Sequence, residues 1–499
     1  MDSQVHKRIS RRRFLQQISI GGGAVGAGLI LTGELAAATT PLIGSSQPSK
    51  RVLVLGAGLA GLAAAWELEE AGHEVTVLEA RTRPGGRVFT LREPFADDLY
   101  AEAGAAAFSS TYTHANRYID ALGLERADWT QPDLRALYHL KGRRFSVAPG
   151  KQADWPYRLT DEEQGLGPMG ILKRYMFDTL PSEISDPESW NQSPLVGLDK
   201  MTLGEYMRSQ GASRGAVDLI RDTQWFGMAV DRGSALSSAL SDFGLFMSGQ
   251  PFVLAGGNDQ LPTAMAKRLS QSIRYSVRVV AIRQNKTGVE VLARRGDRAE
   301  SFQAAWAICT IPATVLRDIR MEPELPDDKR AAIANLPYVD ATRTYLQVSR
   351  GFWFDEGVTG SAATDLPIGQ VWRQPPTHAG GPHERAILES YVIGPAASRL
   401  AARSESEIIE HTLRHMEKVH PKIRDYQEGG VVKAWSKDPY ALGCVSWPGP
   451  GDVTQYLEPL QRPHGRIHFA GEHTSVLRST MEGALRSGIR AAHEVNDAD

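Results

Sequence analysis

The sequence has little cysteine, no long uninterrupted apolar run and almost no excess of charge of one sign. Cysteine occurs twice in 499 residues, at Cys309 and Cys444, so a disulfide framework cannot stabilise the fold. The formal net charge is −2, and basic and aromatic residues form no interleaved patch, so nothing indicates a nucleic-acid partner. Histidines are scattered without metal-ligand spacing, and we predict no metal. With 42% hydrophobic and 23% charged residues, the chain is long enough for two or three domains with a sizeable core.

The apolar stretch near the amino terminus, residues 18–31, is too short and too rich in glycine to cross a membrane, which takes about 20 apolar residues. It follows Ser10-Arg11-Arg12-Arg13-Phe14-Leu15-Gln16 and precedes small residues that end at Ala38. This order is typical of a twin-arginine export signal over residues 1–38, with a basic amphipathic helix or a membrane anchor as the alternatives. We expect the twin-arginine translocase as a partner, cleavage after Ala38, no stable membrane insertion, and a periplasmic or extracellular mature protein.

Residues 51–87 have the organisation of a dinucleotide-binding unit. An apolar run, residues 52–55, leads into Gly56-Ala57-Gly58-Leu59-Ala60-Gly61, and a helix-like segment and a second apolar run follow before Glu79. The first glycine permits a tight turn, the second lets backbone amides approach a pyrophosphate, and the third lets helix and strand pack closely. Glu79 stands where an acid binds the ribose hydroxyls. A glycine turn without a ligand is the alternative, and the position of Glu79 argues against it.

A second glycine turn follows at once, in Glu79-Ala80-Arg81-Thr82-Arg83-Pro84-Gly85-Gly86-Arg87. A second turn that faces phosphate favours FAD over a nicotinamide dinucleotide as the cofactor. The segment resembles the E-A-R-x-R-x-G-G-R segment of the flavin-containing amine oxidase family, without substitution. This resemblance implies that Arg81 and Arg87 lie near the pyrophosphate and the ribityl chain of FAD.

Shorter segments extend the resemblance over nearly the whole mature chain, and it is weakest between residues 111 and 249. These segments are residues 101–104, 256–262, 279–282, 307–312, 440–444, 471–472 and 479–484. In the family, the last of them starts a helix whose positive end, with the amide of Met481 here, stabilises reduced flavin. The motif and the resemblance together predict cofactor binding by Gly56, Gly58, Ala60, Gly61, Glu79, Ala80, Arg81, Gly86, Arg87, Gly104, Val279, Cys444, Gly471, Glu472 and Met481.

The resemblance implies an α/β fold of the amine oxidase type, in which a Rossmann-like FAD-binding domain is interleaved with an α+β substrate-binding domain. The FAD-binding segments are residues 50–110, 250–319 and 432–499, and the substrate-binding segments are residues 111–249 and 320–431. Residue patterns also predict individual elements: a hairpin over residues 279–291, a buried strand around Cys309, strands at 342–348 and 386–392, and helices at 405–419 and 483–495.

The reaction that the resemblance implies is hydride transfer from the carbon of a neutral amine to FAD, giving an imine that water hydrolyses, with oxygen as acceptor and hydrogen peroxide as product. The substrate would be an amine or an L-amino acid. Alanines at residues 105–107, where L-amino-acid oxidases carry an arginine for the carboxylate, count against the amino acid. Two other functions stay open: a flavin dehydrogenase with a different electron acceptor, and a flavin-binding protein without catalysis.

Four candidate active-site residues, Arg343, Trp447, Thr480 and Val445, mark departures from the family pattern. Arg343 replaces the flavin-facing lysine, so it would support peroxide formation, favour another acceptor, bind an acidic substrate, or simply bridge two strands. Val445 and Thr480 stand where aromatic walls enclose the amine in monoamine oxidases. Trp447 or Trp435 would then supply a substitute wall.

Cys444 ends the run Tyr440-Ala441-Leu442-Gly443-Cys444, which resembles the monoamine oxidases that attach FAD through this cysteine. The next residue, however, is valine rather than tyrosine. A thioether bond to FAD and a free thiol beside the flavin are both open, because a cysteine also serves as a small apolar residue.

Overall fold

The computed structural model of the chain describes residues 42–44, 48–129, 134–374 and 381–499. The export signal predicted for residues 1–38 lies outside these residues. Pro41–Asp499 forms one compact unit by its internal contacts. Within the described ranges, no helix is both long and apolar enough to span a bilayer. Nor do the described residues gather three or more histidine, cysteine or acidic side chains in a way that could hold a metal ion.

A four-stranded parallel sheet, here called the nucleotide sheet, collects strands from three distant parts of the chain. Its order is Glu74–Leu78, Arg51–Leu55, Trp306–Cys309 and Ile467–Phe469. The central strands are almost wholly buried, as expected of a parallel sheet covered on both faces. The first two strands and the buried strand around Cys309 are confirmed as predicted.

The first glycine motif connects strand to helix as its spacing predicts. The helix Leu59–Glu70 follows directly after Gly58, its N-cap residue, and ends before Gly72, which has a φ of +90°. It packs against the last helix, Met481–Asp497, at Gly488, where a Cβ would lie 2.1 Å from the carbonyl oxygen of Ala60. This last helix was predicted over residues 483–495, and it starts two residues earlier and ends two residues later.

A seven-stranded sheet, here called the large sheet, forms the second layer. Its order is Gln427–Ala434, Ala341–Val348, Ala386–Ile393, Gln370–Gln374, Val358–Thr364, Arg135–Leu140 and Arg143–Val147. Leu346 and Val348 pack with Leu413 and Met416 of the helix Glu405–Val419. Since alternate residues of a strand point to opposite faces, Arg343 and its odd-numbered neighbours face away from this helix. Both predicted strands and this helix are confirmed.

The predicted hairpin is confirmed as Arg278–Gln284 and Val289–Arg295, which pair antiparallel. Arg298–Ala304 and Arg320–Glu322 complete its sheet. Three small sheets hold the remaining strands: Thr90–Leu91 with Ala101–Glu102; Phe108–Ser109 and Arg126–Asp128 with Pro251–Leu254; and Tyr338–Val339 with Val445–Ser446.

The described part of the region between residues 111 and 248 holds many short helices besides the strands already given. Its α-helices are Thr113–Ala121, Asp161–Gln164, Gly167–Leu172, Leu195–Leu198, Leu203–Ser209, Arg214–Thr223, Gly227–Arg232 and Ala235–Ser238. Two π-helices, Lys173–Phe177 and Ala239–Phe246, occur among them. Many of its aromatic residues, such as Trp155, Phe226 and Phe243, are buried in the core.

Shorter helices connect the sheets elsewhere. The α-helices are Gln260–Arg268, Ala313–Leu316, Asp327–Asn335, Pro395–Ala401, Ile423–Tyr426 and Asp452–Gln461. The 3₁₀ turns are Ser182–Ser185, Pro187–Ser189, Phe352–Glu356, Trp435–Lys437 and Glu472–Thr474.

Candidate active site

One cavity of about 530 Å³ brings together nearly every residue that the sequence singled out. The predicted residues on its wall are Gly56, Gly58, Ala60, Glu79, Ala80, Arg81, Gly86, Arg87, Gly104, Val279, Arg343, Cys444, Val445, Trp447, Gly471, Glu472, Thr480 and Met481. Gly61 is not on this wall. A Cβ at Gly61 would lie 2.0 Å from the carbonyl oxygen of Gly56, so this glycine serves the close packing of helix on turn.

The two glycine turns form a cradle at one part of the cavity. A Cβ at Gly58 would meet no atom within 4 Å, and one at Gly86 would lie 3.5 Å from the Cα of Gly58. The helix that starts here has no side-chain cap, so its first amides are available to an anion. Uncapped amides beside open space, at the positive end of a helix, fit a pyrophosphate.

Glu79 holds the two turns together. One oxygen of its carboxylate accepts a hydrogen bond from the amide of Ala57 at 2.7 Å, and the other accepts one from the amide of Arg81 at 2.7 Å. The side chain is buried, and it lies on the cavity wall beside the first turn.

Arg81 is fixed by a buried acid from the other end of the chain. Its guanidinium donates to both oxygens of Asp438, at 3.0 and 2.6 Å, and Lys433 donates to the same carboxylate at 2.8 Å. Burial by itself would raise the pKa of Asp438, but these two cations lower it to about 2. The carboxylate therefore stays ionised and keeps Arg81 in place.

Arg87 is held by Glu472, 385 residues away in sequence, at 2.7 Å. The Glu472 carboxylate also accepts hydrogen bonds from the Ser446 hydroxyl at 2.6 Å and from the Ser479 amide at 3.0 Å. Although burial opposes ionisation, Arg87 and these donors lower the pKa of Glu472 to about 2. The protein itself therefore occupies the carboxylate of Glu472. Through these hydrogen bonds Glu472 joins the three segments that contain Arg87, Ser446 and Ser479.

The last helix starts at the cavity. Thr480 caps it, since its hydroxyl accepts a hydrogen bond from the Gly483 amide at 2.9 Å and donates to the carbonyl of Leu477 at 2.7 Å. Thr480, Met481 and Ala484 line the cavity. Ala484 is only half-buried, because the cavity lies beside it.

Arg343 lies on the inner face of the large sheet. It pairs opposite Tyr391, and Trp372 pairs opposite Glu389, so all four side chains share one face. The Arg343 guanidinium lies 4.9 Å from the ring centre of Tyr391 and 5.7 Å from that of Trp372. The two rings are themselves stacked at 4.7 Å.

The hydrogen bonds of Arg343 are only partly satisfied. Its Nε donates to Glu389 on the neighbouring strand, and its Nη1 donates to the carbonyl of Gly104 at 2.6 Å. Its Nη2 is buried and has no partner among the described residues. Burial alone would lower the pKa of Arg343, but Glu389 raises it above its ordinary value. Arg343 therefore bridges two strands and also presents a permanent charge at the wall.

Most of the aromatic wall comes from residues that the sequence did not single out for the site. Trp447 and Trp435 both line the cavity, as do Tyr112, Trp129, Trp225, Phe246, Trp372 and Tyr391. Asp242 is a further wall residue that sequence reasoning missed. Trp372 and Tyr391 carry no local signal that marks them as wall residues, because only the register of neighbouring strands brings them together.

Cys444 lies on the wall, with its carbonyl oxygen accepting a hydrogen bond from Arg87 at 3.0 Å. Burial raises the pKa of the Cys444 thiol to about 11. The thiol is therefore protonated at neutral pH. Neither of the two alternatives for Cys444 is tested by this geometry.

The segment of residues 256–262, one of those that extend the resemblance, supports the cavity wall from behind. The amide of Asn258 donates to the buried carboxylate of Glu102 at 2.8 Å, and its side-chain nitrogen donates to the carbonyls of Ala105 and Ala106 at 3.0 and 3.1 Å. Asn258 therefore fixes the position of Ala105 and Ala106 on the wall, although it does not line the cavity itself.

The parallel sheet, the two glycine turns at the ends of its strands, and the arginines beside them define an oxidoreductase that binds a dinucleotide. The family model for flavin-containing amine oxidoreductases matches residues 59–496, and the chain belongs to this family. Its cofactor is accordingly FAD, for which the cradle has the right donors.

Named relatives agree with the family. The chain is 31% identical over 476 residues to an L-amino-acid oxidase of Demansia vestigiata, covering 92% of this chain and 89% of the relative. It is 33% identical over 471 residues to YobN of Bacillus subtilis (strain 168), covering 91% and 96%. Among solved structures, an engineered putrescine oxidase triple mutant superposes with a TM-score of 0.75 at 23% identity, over 90% of this chain and 98% of that one. Cyclohexylamine oxidase from Brevibacterium oxydans IH-35A gives 0.71 at 22%, over 90% and 99%.

Proposed function

We propose that the protein oxidises the C–N bond of an amine or L-amino acid to an imine that water hydrolyses, with oxygen as the electron acceptor and hydrogen peroxide as the second product. The observation that carries this proposal is the single cavity that joins the dinucleotide cradle to an aromatic wall. FAD, when bound, supplies the hydride acceptor.

The wall residues position the substrate and exclude water. Among the described wall residues there is no histidine or lysine that could serve as a general base near neutral pH. We propose that the amine arrives neutral, or loses its proton to water, before its carbon gives up a hydride. Stacked aromatic rings such as Trp372 and Tyr391 hold the reacting carbon in a dry environment.

Arg343 supports the L-amino-acid branch of the proposal. Its charge is permanent, and its side chain lies on the cavity wall. A substrate carboxylate is the natural acceptor for an arginine nitrogen. Ala105, Ala106 and Ala107 on the same wall carry no charge but leave room for the substrate. The relative from Demansia vestigiata, named an L-amino-acid oxidase, supports the same branch.

Purified holoenzyme is tested for peroxide release with matched pairs of L-amino acids and the amines that lack their carboxylate, and in parallel with an artificial electron acceptor. We expect peroxide, with the Arg343→Lys variant raising KM for the amino acids about tenfold because the directed guanidinium contact is lost. The matched amines change little. Turnover with the artificial acceptor alone would instead identify a dehydrogenase, and no turnover with either would contradict the proposal.

Export is a separate proposal, supported by the basic run at residues 10–16. We propose that the twin-arginine translocase exports the folded protein with its FAD, and that it works in the periplasm or outside the cell. Cell fractionation of the Arg11→Lys, Arg12→Lys double variant tests this. Retention of the variant in the cytoplasm, with the wild type outside, is the expected result, and equal distribution contradicts it.

A further inference from the structure

Asp242 is the one acidic side chain, among the described wall residues, that lies outside the cofactor motifs. It belongs to the π-helix Ala239–Phe246, which also places Ser241 and Phe246 on the wall. A π-helix is less stable than an α-helix and occurs mostly where a function maintains it. The aromatic residues around the cavity make an isolated carboxylate costly here, so its presence calls for a partner.

The partner within the protein satisfies Asp242 only in part. Arg478 contacts one oxygen of Asp242 at 3.3 Å, a long distance for an ion pair. Arg478 also donates to Ser237 and Ser479, and its guanidinium lies 4.0 Å from the ring centre of Trp447. Ser238 also gives Asp242 a side-chain hydrogen bond, and burial raises the pKa of Asp242 even beside these two partners. A carboxylate can accept about four hydrogen bonds, so Asp242 has capacity left for a ligand.

The charges on the cavity wall indicate which kind of ligand Asp242 binds. Arg343 is balanced by Glu389, and Asp242 is balanced by Arg478. A substrate whose carboxylate binds Arg343 brings one uncompensated negative charge into this buried space. A substrate that also carries a positive group cancels that charge, provided the positive group reaches Asp242.

We propose that Asp242 determines substrate specificity by binding a second, cationic group of the substrate, so that the preferred substrates are L-amino acids with an ammonium or guanidinium side chain. This inference rests on the proposed function, since it concerns the same cavity. The oxidised amine stays neutral beside the cofactor, and the distal cation donates its hydrogen bonds to Asp242.

L-lysine and L-norleucine test the proposal, because they differ by the terminal ammonium group. The holoenzyme is expected to prefer lysine, and Asp242→Asn is expected to lower kcat/KM for lysine about 10- to 100-fold while norleucine changes less than about threefold. Asp231→Asn removes an exposed acid, which is paired with Arg221, and serves as the matched control that leaves both values unchanged.

Equal kcat/KM for lysine and norleucine in the wild type overturns the proposal, as does an equal loss for both in Asp242→Asn. A lower melting temperature without a change in the lysine-to-norleucine ratio also overturns it, because Asp242 then serves only as the partner of Arg478. If no amine or amino acid is oxidised, the proposed function fails while this inference is still decided by binding. Titration of the flavin absorption spectrum then has to show tighter binding of lysine than of norleucine, and loss of that difference in Asp242→Asn.

Discussion

At the scale of single residues, a buried lysine outside the cavity gives a direct test of the packing. Lys329 is fully buried on the helix Asp327–Asn335, where its ammonium donates to the carbonyl of Leu460 at 3.2 Å and lies 3.9 Å from the ring centre of Phe469. Burial lowers its pKa to about 7 from an ordinary value of 10.5. Between these two pH values the unfolded chain binds more protons than the folded one, so stability rises with pH.

The substitution Lys329→Met removes the free-energy cost of burying a charged ammonium group. We expect the variant to be more stable than the wild type by about 2 kcal/mol at pH 6, where the buried ammonium is charged, and by much less near pH 10, where the folded wild-type lysine is neutral and the unfolded one has begun to lose its proton. Melting temperatures at the two pH values measure the difference. Lys267→Met, on an exposed helical position, is the control. An advantage that is the same at both pH values would show that the gain comes from packing alone.

At the scale of elements, the first strand–turn–helix unit separates two roles of glycine. A Cβ at Gly61 would lie 2.0 Å from the Gly56 carbonyl oxygen and 3.1 Å from a Val54 methyl carbon. A Cβ at Gly58 would enter open space, at a φ of −73° that any residue adopts. Gly61 is therefore needed for folding, and Gly58 is needed for binding of the cofactor.

The corresponding variants should behave in opposite ways. Gly61→Ala is expected to lower the melting temperature of the apoprotein, because the helix must move off the turn, with a loss of about 1–3 kcal/mol. Gly58→Ala should leave the apoprotein melting temperature unchanged and weaken FAD binding at least tenfold, because its methyl group occupies the cradle. Apoprotein melting curves and flavin titration measure both effects. A Gly58→Ala protein that binds FAD as the wild type does would show that the dinucleotide does not approach this turn.

At the scale of the whole molecule, the sequence predicted the parts of the site whose signals are local. Residues 51–87 contain strand, turn, helix, strand and second turn in one continuous stretch, so their geometry could be read without a tertiary structure. The helix Glu405–Val419 was predictable to the residue because its apolar periodicity and its Ser404 cap agree. Arg343 was located by its spacing within a recognised family pattern.

The part of the cavity wall outside the cofactor motifs was less predictable, because it forms only when distant elements meet. Asp242 and Arg478 are 236 residues apart, and nothing in either neighbourhood indicates the other. Trp372 and Tyr391 meet Arg343 through the register of three strands, which the sequence does not display. Asn258 likewise reads as part of a nucleotide motif, and only its hydrogen bonds show that it supports the wall from behind.

The pairing of Arg87 with Glu472 has a consequence for the order of events during synthesis. The counter-charge of Arg87 lies 385 residues further along the chain, and the strand Ile467–Phe469 and the helix Met481–Asp497 lie close to it, so all three are synthesised long after the two glycine turns. While the ribosome still holds these residues, a nascent chain has an incomplete cradle. We therefore expect cofactor capture to wait until these elements have been synthesised and have folded, so that a chain truncated before Ile467 stays without flavin.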